Sequence, residues 1–221
     1  MANMAPKVYM TDGSPPSRAV MAVAAALKVE VIKVEVNVWK QEQLTPAFIK
    51  KNPAHTIPLL EDGDLFLGDS HAIVAYLANA YAKDDSLYPK DAKKRAVIDS
   101  KLHFDNGTLF GRFRTAVRPL FAFGESEIPR AHLDDIVEAY SMMELFLDTS
   151  KWVAGDQPSI ADYCCITSVG ALDMLIPVSN TEFPKLAAWI KRCYSLPFYL
   201  ELCAPGESKL RDLIESKTKR T

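Results

Sequence analysis

The rhythm of apolar positions along this chain changes near residue 90. Before it, short apolar runs are interrupted by Pro, Gly and Asp, the punctuation of strands, turns and helix starts. Lys7 to Met10 reads as a first strand, Pro16 to Leu27 as a helix and Val29 to Val36 as a second strand. Pro46 to Lys51 reads as a short helix or turn, Ile57 to Glu61 and Leu65 to Leu67 as a hairpin around Asp62-Gly63, and Ser70 to Tyr81 as a helix. The predicted order is βαβαββα. From residue 92 the strand signals stop, and amphipathic runs over 92–123, 131–149, 159–175 and 183–195, with a shorter tail helix after Pro205, predict an all-α half. The stretch from Ala82 to Lys90, with Asp84-Asp85-Ser86 and Pro89, reads as the connection, which places domains at 1–83 and 92–221 and a linker at 84–91.

Composition narrows the function classes. With 221 residues, 48% hydrophobic and 24% charged, the chain can bury one large or two small cores. A net charge of −2 leaves no basic footprint for nucleic acid, so that partner is not expected. No apolar run approaches the roughly 20 residues of a membrane helix, and Met1 to Pro6 lacks a signal-peptide pattern, so a cytoplasmic protein with no membrane partner is expected. Cys164, Cys165, Cys193 and Cys203 show no Cys-x-x-Cys or Cys/His spacing, so no metal site is expected and buried free thiols are.

Candidate chemistry concentrates in two segments. In Asn52-Pro53-Ala54-His55-Thr56-Ile57-Pro58, the Ile57-Pro58 bond is a candidate cis peptide, since the cis form of an X-Pro bond costs only about 0.5–1 kcal/mol. A turn there presents the Ile57 backbone sideways, where an extended peptide can pair as an added strand. Eleven residues later Asp69-Ser70-His71-Ala72-Ile73 opens a helix, whose free N–H groups and positive dipole end suit a carboxylate. Ser159-Ile160-Ala161-Asp162 reads instead as a capping box that serves folding.

The chain resembles the cytosolic glutathione transferases over nearly its whole length. The likeness is carried by the βαβαββα half with Ile57-Pro58 and Asp69-Ser70, joined to a helical half with a Ser-x-x-Asp box. Ser14-Pro15-Pro16-Ser17-Arg18 and the two cradle segments are similar to the insect delta/epsilon branch, and Asp84-Asp85-Ser86-Leu87-Tyr88-Pro89 favours epsilon. The resemblance implies an α/β thioredoxin-like N-terminal domain, an all-α C-terminal domain, glutathione as co-substrate and a homodimer with the 70–81 helix near its interface.

It also implies roles. Ser14, which by itself reads as a helix N-cap, becomes with the cradle motifs the catalytic hydroxyl that donates to the glutathione sulfur. Tyr9 on the preceding strand is the rival, because other branches use tyrosine. Asp69 attracts the γ-glutamyl ammonium, Ser70 holds its carboxylate, Ile57 at Pro58 pairs with the cysteinyl backbone, His55 meets the glycyl carboxylate, and Thr56 is assigned to glutathione with them. Gln43 stands where epsilon members often have histidine. His71 is assigned to glutathione or to capping and packing, and Arg114 to glutathione.

A wide apolar site for the second substrate is expected between the halves, from Phe110, Phe113, Val117 and Phe121 on the 92–123 helix and Leu210 and Leu213 on the tail. Arg114 and Arg118 add a basic spot, and Pro119 is expected to kink this helix. The expected activity is conjugation of glutathione to hydrophobic electrophiles in detoxification. Elimination of HCl from chlorinated compounds or reduction of organic hydroperoxides is compatible with the same site. A specialised glutathione-dependent isomerase or steroid-pathway enzyme, and a non-catalytic carrier of apolar ligands, remain as alternatives.

Overall fold

A computed structural model describes residues 5–196 and 199–218. Four strands form one mixed sheet: β1 (Lys7–Met10), β2 (Ile32–Glu35), β3 (Leu59–Asp62) and β4 (Leu65–Gly68), in the order β2-β1-β3-β4. β1 pairs parallel to β2, with Lys7 opposite Ile32, and antiparallel to β3, with Tyr9 opposite Leu59. The period-two alternation of β1 sends Val8 and Met10 into the main core, while Tyr9 points to the other face, beside Val36, Phe48 and Leu59. Helices α1 (Pro15–Ala26), α2 (Pro46–Lys51) and α3 (Ser70–Ala80) complete the βαβαββα half. β2 starts later than its apolar run suggests. Lys28 takes a left-handed φ of 59° and Val29 donates to the Ala24 carbonyl at 2.8 Å, so the exit turn of α1 uses these residues.

The second half is helical: α4 (Ala92–Phe104), α5 (Phe110–Ala122), α6 (Arg130–Phe146), α7 (Ile160–Asp173), α8 (Pro184–Tyr194), α9 (Tyr199–Leu202) and α10 (Ala204–Thr218). The predicted 92–123 helix is interrupted by a π-turn at Asp105–Leu109, where Phe110 N–H bonds back to the Asp105 carbonyl. Pro119 sits within α5, which ends three residues later at Ala122. The tail helix is longer than expected, because Pro205 occupies its first turn, where a missing N–H costs no helical bond.

α7 is buried from Ile160 to Leu172 and packs against α1, so one hydrophobic core runs from the sheet through both halves. Its capping box forms as read from sequence. The buried Asp162 carboxylate accepts from Val153 N–H at 3.0 Å, Ser159 N–H at 2.9 Å, Ser159 Oγ at 3.2 Å and Trp189 Nε1 at 2.9 Å. Burial pushes this carboxyl upward in pKa, against the pull of those donors. Among the described residues no helix is long and apolar enough to cross a membrane. All four cysteines are free and buried.

Candidate active site

The loop after β1 delivers Ser14 to the start of α1. Its backbone is extended, at φ −84° and ψ 117°, and its Oγ accepts from Ser17 N–H at 3.4 Å, the weak limit of a capping bond. The Ser14 N–H is taken by the Thr11 carbonyl at 3.1 Å, and Pro15 and Pro16 have no N–H to offer. The half-buried Ser14 hydroxyl hydrogen has no acceptor among the described residues, so this helix end retains a donor.

That loop is held from beneath. Arg18, 1% exposed, donates from Nη1 to the carbonyls of Asp12 at 3.1 Å and Gly13 at 3.2 Å. From the helical half, Gly206 of α10 approaches so closely that a Cβ there would lie 2.1 Å from the Asp12 carbonyl oxygen. The Asp12 carboxylate meets Lys33 Nζ at 2.5 Å and Lys209 Nζ at 3.1 Å, and the Lys33 hydrogen bond leads the lowering of its pKa. Arg18 appeared in sequence only as part of a motif, and nothing pointed to Gly206.

Tyr9 is committed elsewhere. Its hydroxyl donates to Glu61 Oε2 at 2.7 Å and accepts from Lys51 Nζ at 2.5 Å, on the α2 face of the sheet. Hydrogen bonds from Lys51, Lys7 and Tyr9 hold the Glu61 carboxyl near a pKa of about 2.

A cleft of about 330 Å³ runs between the halves, beginning at Pro16 in the first turn of α1. Ile57, Pro58, Thr56 and His55 line one side, Asp69 and Ser70 another, and Gln43 and Val38 a third; Phe110, Arg114 and Asn106 close it from the helical half. Ser14 is not itself in the lining, but it caps the helix whose Pro16 is. The Ile57-Pro58 bond is cis, and neither the N–H nor the carbonyl of Ile57 is hydrogen-bonded to another described residue. Asn52 shapes the turn, donating to the Thr56 carbonyl at 2.9 Å and accepting from Ala54 N–H at 3.1 Å. His55 is exposed at a left-handed φ of 45°, and the buried Gln43 Oε1 has no partner among the described residues.

At the opposite end, Asp69 also takes a left-handed φ, 69°, which for a non-glycine residue costs about 1–3 kcal/mol and tends to mark functional positions. One oxygen caps α3 by accepting from His71 N–H at 2.9 Å and Ala72 N–H at 3.1 Å, and the other accepts from Asn106 Nδ2 at 2.9 Å. The adjacent His71 side chain does most to bring the Asp69 carboxyl down to a pKa of about 2, so it stays anionic at neutral pH. His71 does not line the cleft. Its Nε2 meets Asp105 Oδ2 at 2.8 Å; burial works against the imidazolium, but Asp105 and Asp69 outweigh it and raise the pKa to about 9. Cys164 lies beside this pair, with one potential ligand atom of each residue within 4.8 Å of the others. Asp105 and Asn106 were missed in sequence. The signal available was Asp105-Asn106-Gly107-Thr108, weak helix formers inside a predicted helix.

The expected second-substrate residues divide between two stripes of α5. Phe113 and Val117 are buried in the main core, as is Leu210 of α10, and Leu213 is half-buried. Phe110 and Arg114 face the cleft, and Phe121 meets Trp39 of the other half edge-on at 5.8 Å.

A thioredoxin-like sheet, a helical half across a cleft, and a cis-proline turn facing a capped helix start define a glutathione-dependent transferase. The comparisons agree. The description "Glutathione S-transferase, N-terminal domain" matches residues 9–85, and "Glutathione S-transferase, C-terminal domain" matches residues 112–197. Glutathione S-transferase 1 of Manduca sexta is 43% identical over 212 residues, covering 95% of this chain and 97% of that protein. An epsilon-class enzyme of the housefly Musca domestica superposes with a TM-score of 0.93 at 43% identity, over 96% of this chain and 98% of that one. A homolog from Drosophila mojavensis, solved with bound glutathione, gives 0.93 at 43% identity over 96% and 97%. The chain belongs to the glutathione S-transferase family, and within it to the insect epsilon type.

Proposed function

We propose that this transferase binds glutathione in the 330 Å³ cleft and conjugates it to hydrophobic electrophiles, as in detoxification. The observation that carries the reading is the unpaired Ile57 backbone facing an anionic Asp69 and the N-terminus of α3 across that cleft. A tripeptide fits this polarity. Its cysteinyl backbone pairs with Ile57, its γ-glutamyl ammonium meets Asp69, and its γ-glutamyl carboxylate takes the Ser70 N–H and hydroxyl. His55, Thr56, Gln43 and Arg114 attend the glycyl end. His71 acts indirectly, by keeping Asp69 ionised.

The thiol bound this way loses its proton to solvent, and Ser14 donates its free O–H to the resulting thiolate. Lowering a thiol pKa from about 8.5 by two units needs roughly 3 kcal/mol, within reach of a charge-assisted hydrogen bond plus a helix dipole. The thiolate attacks the electrophilic carbon, a sulfur–carbon bond forms, and the leaving group departs with its electron pair. Substitution of Ser14 by Ala is expected to raise the pKa of bound glutathione by about one to two units and to slow conjugation at neutral pH roughly ten- to hundredfold. Tyr9→Phe is expected to change neither, because its hydroxyl is bonded to Glu61 and Lys51. Thiolate absorbance against pH decides: a shift in the tyrosine variant without one in the serine variant reverses the assignment. We also infer a cytoplasmic two-fold homodimer; sedimentation at micromolar concentration showing only the 24.6 kDa of one chain contradicts it.

A further inference from the structure

α5 buries Phe113, Ala116, Val117 and Leu120, which leaves a second stripe in which Arg114 and Arg118 are exposed and Phe110 and Phe121 sit half-buried at the edge of the core. Phe110 and Arg114 line the cleft. The same stripe therefore leads out of the cleft to Phe121, and there it meets a residue from the other half. Trp39 packs edge-on against Phe121, with ring centroids 5.8 Å apart at 64°, yet remains 62% exposed. Its neighbour Val38 lines the cleft.

An exposed tryptophan could simply sit on a loose loop, but this loop is locked. Asn37 Oδ1 accepts from Trp39 N–H at 3.1 Å and Lys40 N–H at 3.0 Å, Glu42 Oε2 accepts from Asn37 N–H at 2.7 Å, and Gln41 is held at a φ of 58°. The backbone that carries Trp39 is therefore fixed, and its ring stays largely uncovered beside Phe121. Charge completes the picture. Among the described residues neither Arg114 nor Arg118 forms an ion pair or hydrogen bond, and the Arg118 guanidinium lies 5.4 Å from the ring centre of Phe123, itself 64% exposed. Two unneutralised cations one helical turn apart, flanked by aromatic surface, match a ring system that carries a negative group.

We propose that Trp39, Phe121 and Arg118 form a platform at the mouth of the cleft that selects planar aromatic compounds bearing an anionic substituent, the ring against Trp39 and Phe121 and the anion at Arg118. As a statement about second substrates this rests on the glutathione reading of the adjoining cleft; as a statement about binding it does not. Trp39 is the specificity-determining residue, and Arg118 sets the preference for charge.

The test compares 8-anilinonaphthalene-1-sulfonate with its neutral counterpart N-phenyl-1-naphthylamine on the full chain. The dye's own emission gives affinity in every variant. Trp39→Ala is expected to weaken both dyes tenfold or more. Arg118→Gln is expected to weaken only the sulfonate, by about five- to tenfold at low salt and less at high salt. Calorimetric affinity for glutathione is expected to be unchanged in both variants. Wild-type affinity for the sulfonate in Trp39→Ala overturns the platform, and equal losses for both dyes in Arg118→Gln overturn the selection for charge. If no electrophile is turned over while Trp39→Ala still loses the dyes, the platform stands and the transferase reading of the cleft falls.

Discussion

Two aspartates at two helix starts show how one local device serves opposite ends. Asp162, in the first turn of α7, is fully buried and takes four hydrogen bonds from backbone, hydroxyl and indole donors. Asp69, at the start of α3, is half exposed, sits in a left-handed backbone conformation and is kept ionised by a neighbouring imidazolium. Both satisfy orphan N–H groups. The buried carboxylate has spent its capacity on the fold, whereas the exposed one holds its charge toward an open cleft. A capping residue with every donor accounted for is a structural part; one held in a costly conformation beside a cavity is the better candidate for a ligand contact.

Removing each carboxylate should separate the roles. Asp162→Ala strands the Val153, Ser159 and Trp189 donors inside the core and is expected to lower unfolding free energy by about 3–5 kcal/mol. Chemical denaturation measures it, and a loss under about 1 kcal/mol would mean that water satisfies those donors. At the cleft the effect should appear in binding. Ser70→Ala removes a hydrogen bond to a charged group, commonly worth about 1.5–3 kcal/mol, so glutathione affinity should fall roughly ten- to hundredfold with stability little changed. Calorimetry showing wild-type affinity in this variant removes Ser70 from the site.

A third effect is a pH dependence, spread over about three pH units and therefore the most gradual. The folded pKa of His71 is raised from 6.5 to about 9, so the stability it contributes is complete below pH 6.5 and is lost as pH rises through 9. A shift from 6.5 to about 9 corresponds to a loss of roughly 3 kcal/mol between pH 6 and 9.5, which is expected to vanish in His71→Gln. Denaturation curves across that range check it; an identical slope in the variant would place the titrating group elsewhere.

How much of this was legible follows from what leaves a periodic trace. The βαβαββα half could be read because its elements are short and punctuated by Pro and Gly, and the cradle because Ile57-Pro58 and Asp69-Ser70 keep their order and spacing. Helical spacing grouped Phe110, Phe113, Arg114, Val117 and Phe121 on one side of α5. It could not tell that the core takes the stripe through 113 and 117 while the cleft takes the one through 110 and 114, since the two lie within a turn of each other. The π-turn that brings Asp105 to His71 and Asn106 to Asp69 shifts register by a single residue, too little for a hydrophobic pattern to show. Trp39 was silent because an exposed loop residue follows no period.

The approach of Gly206 to the Asp12 carbonyl makes the far end of the polypeptide a neighbour of the place where bond-making is proposed. Almost the whole chain separates that glycine from Ser14, yet any side chain at 206 must displace the backbone two residues ahead of the serine. Natural drift and laboratory mutagenesis alike therefore meet an exacting position inside the tail, a part of most proteins where change is tolerated. Sequence variation among descendants of this gene should thin out at 206.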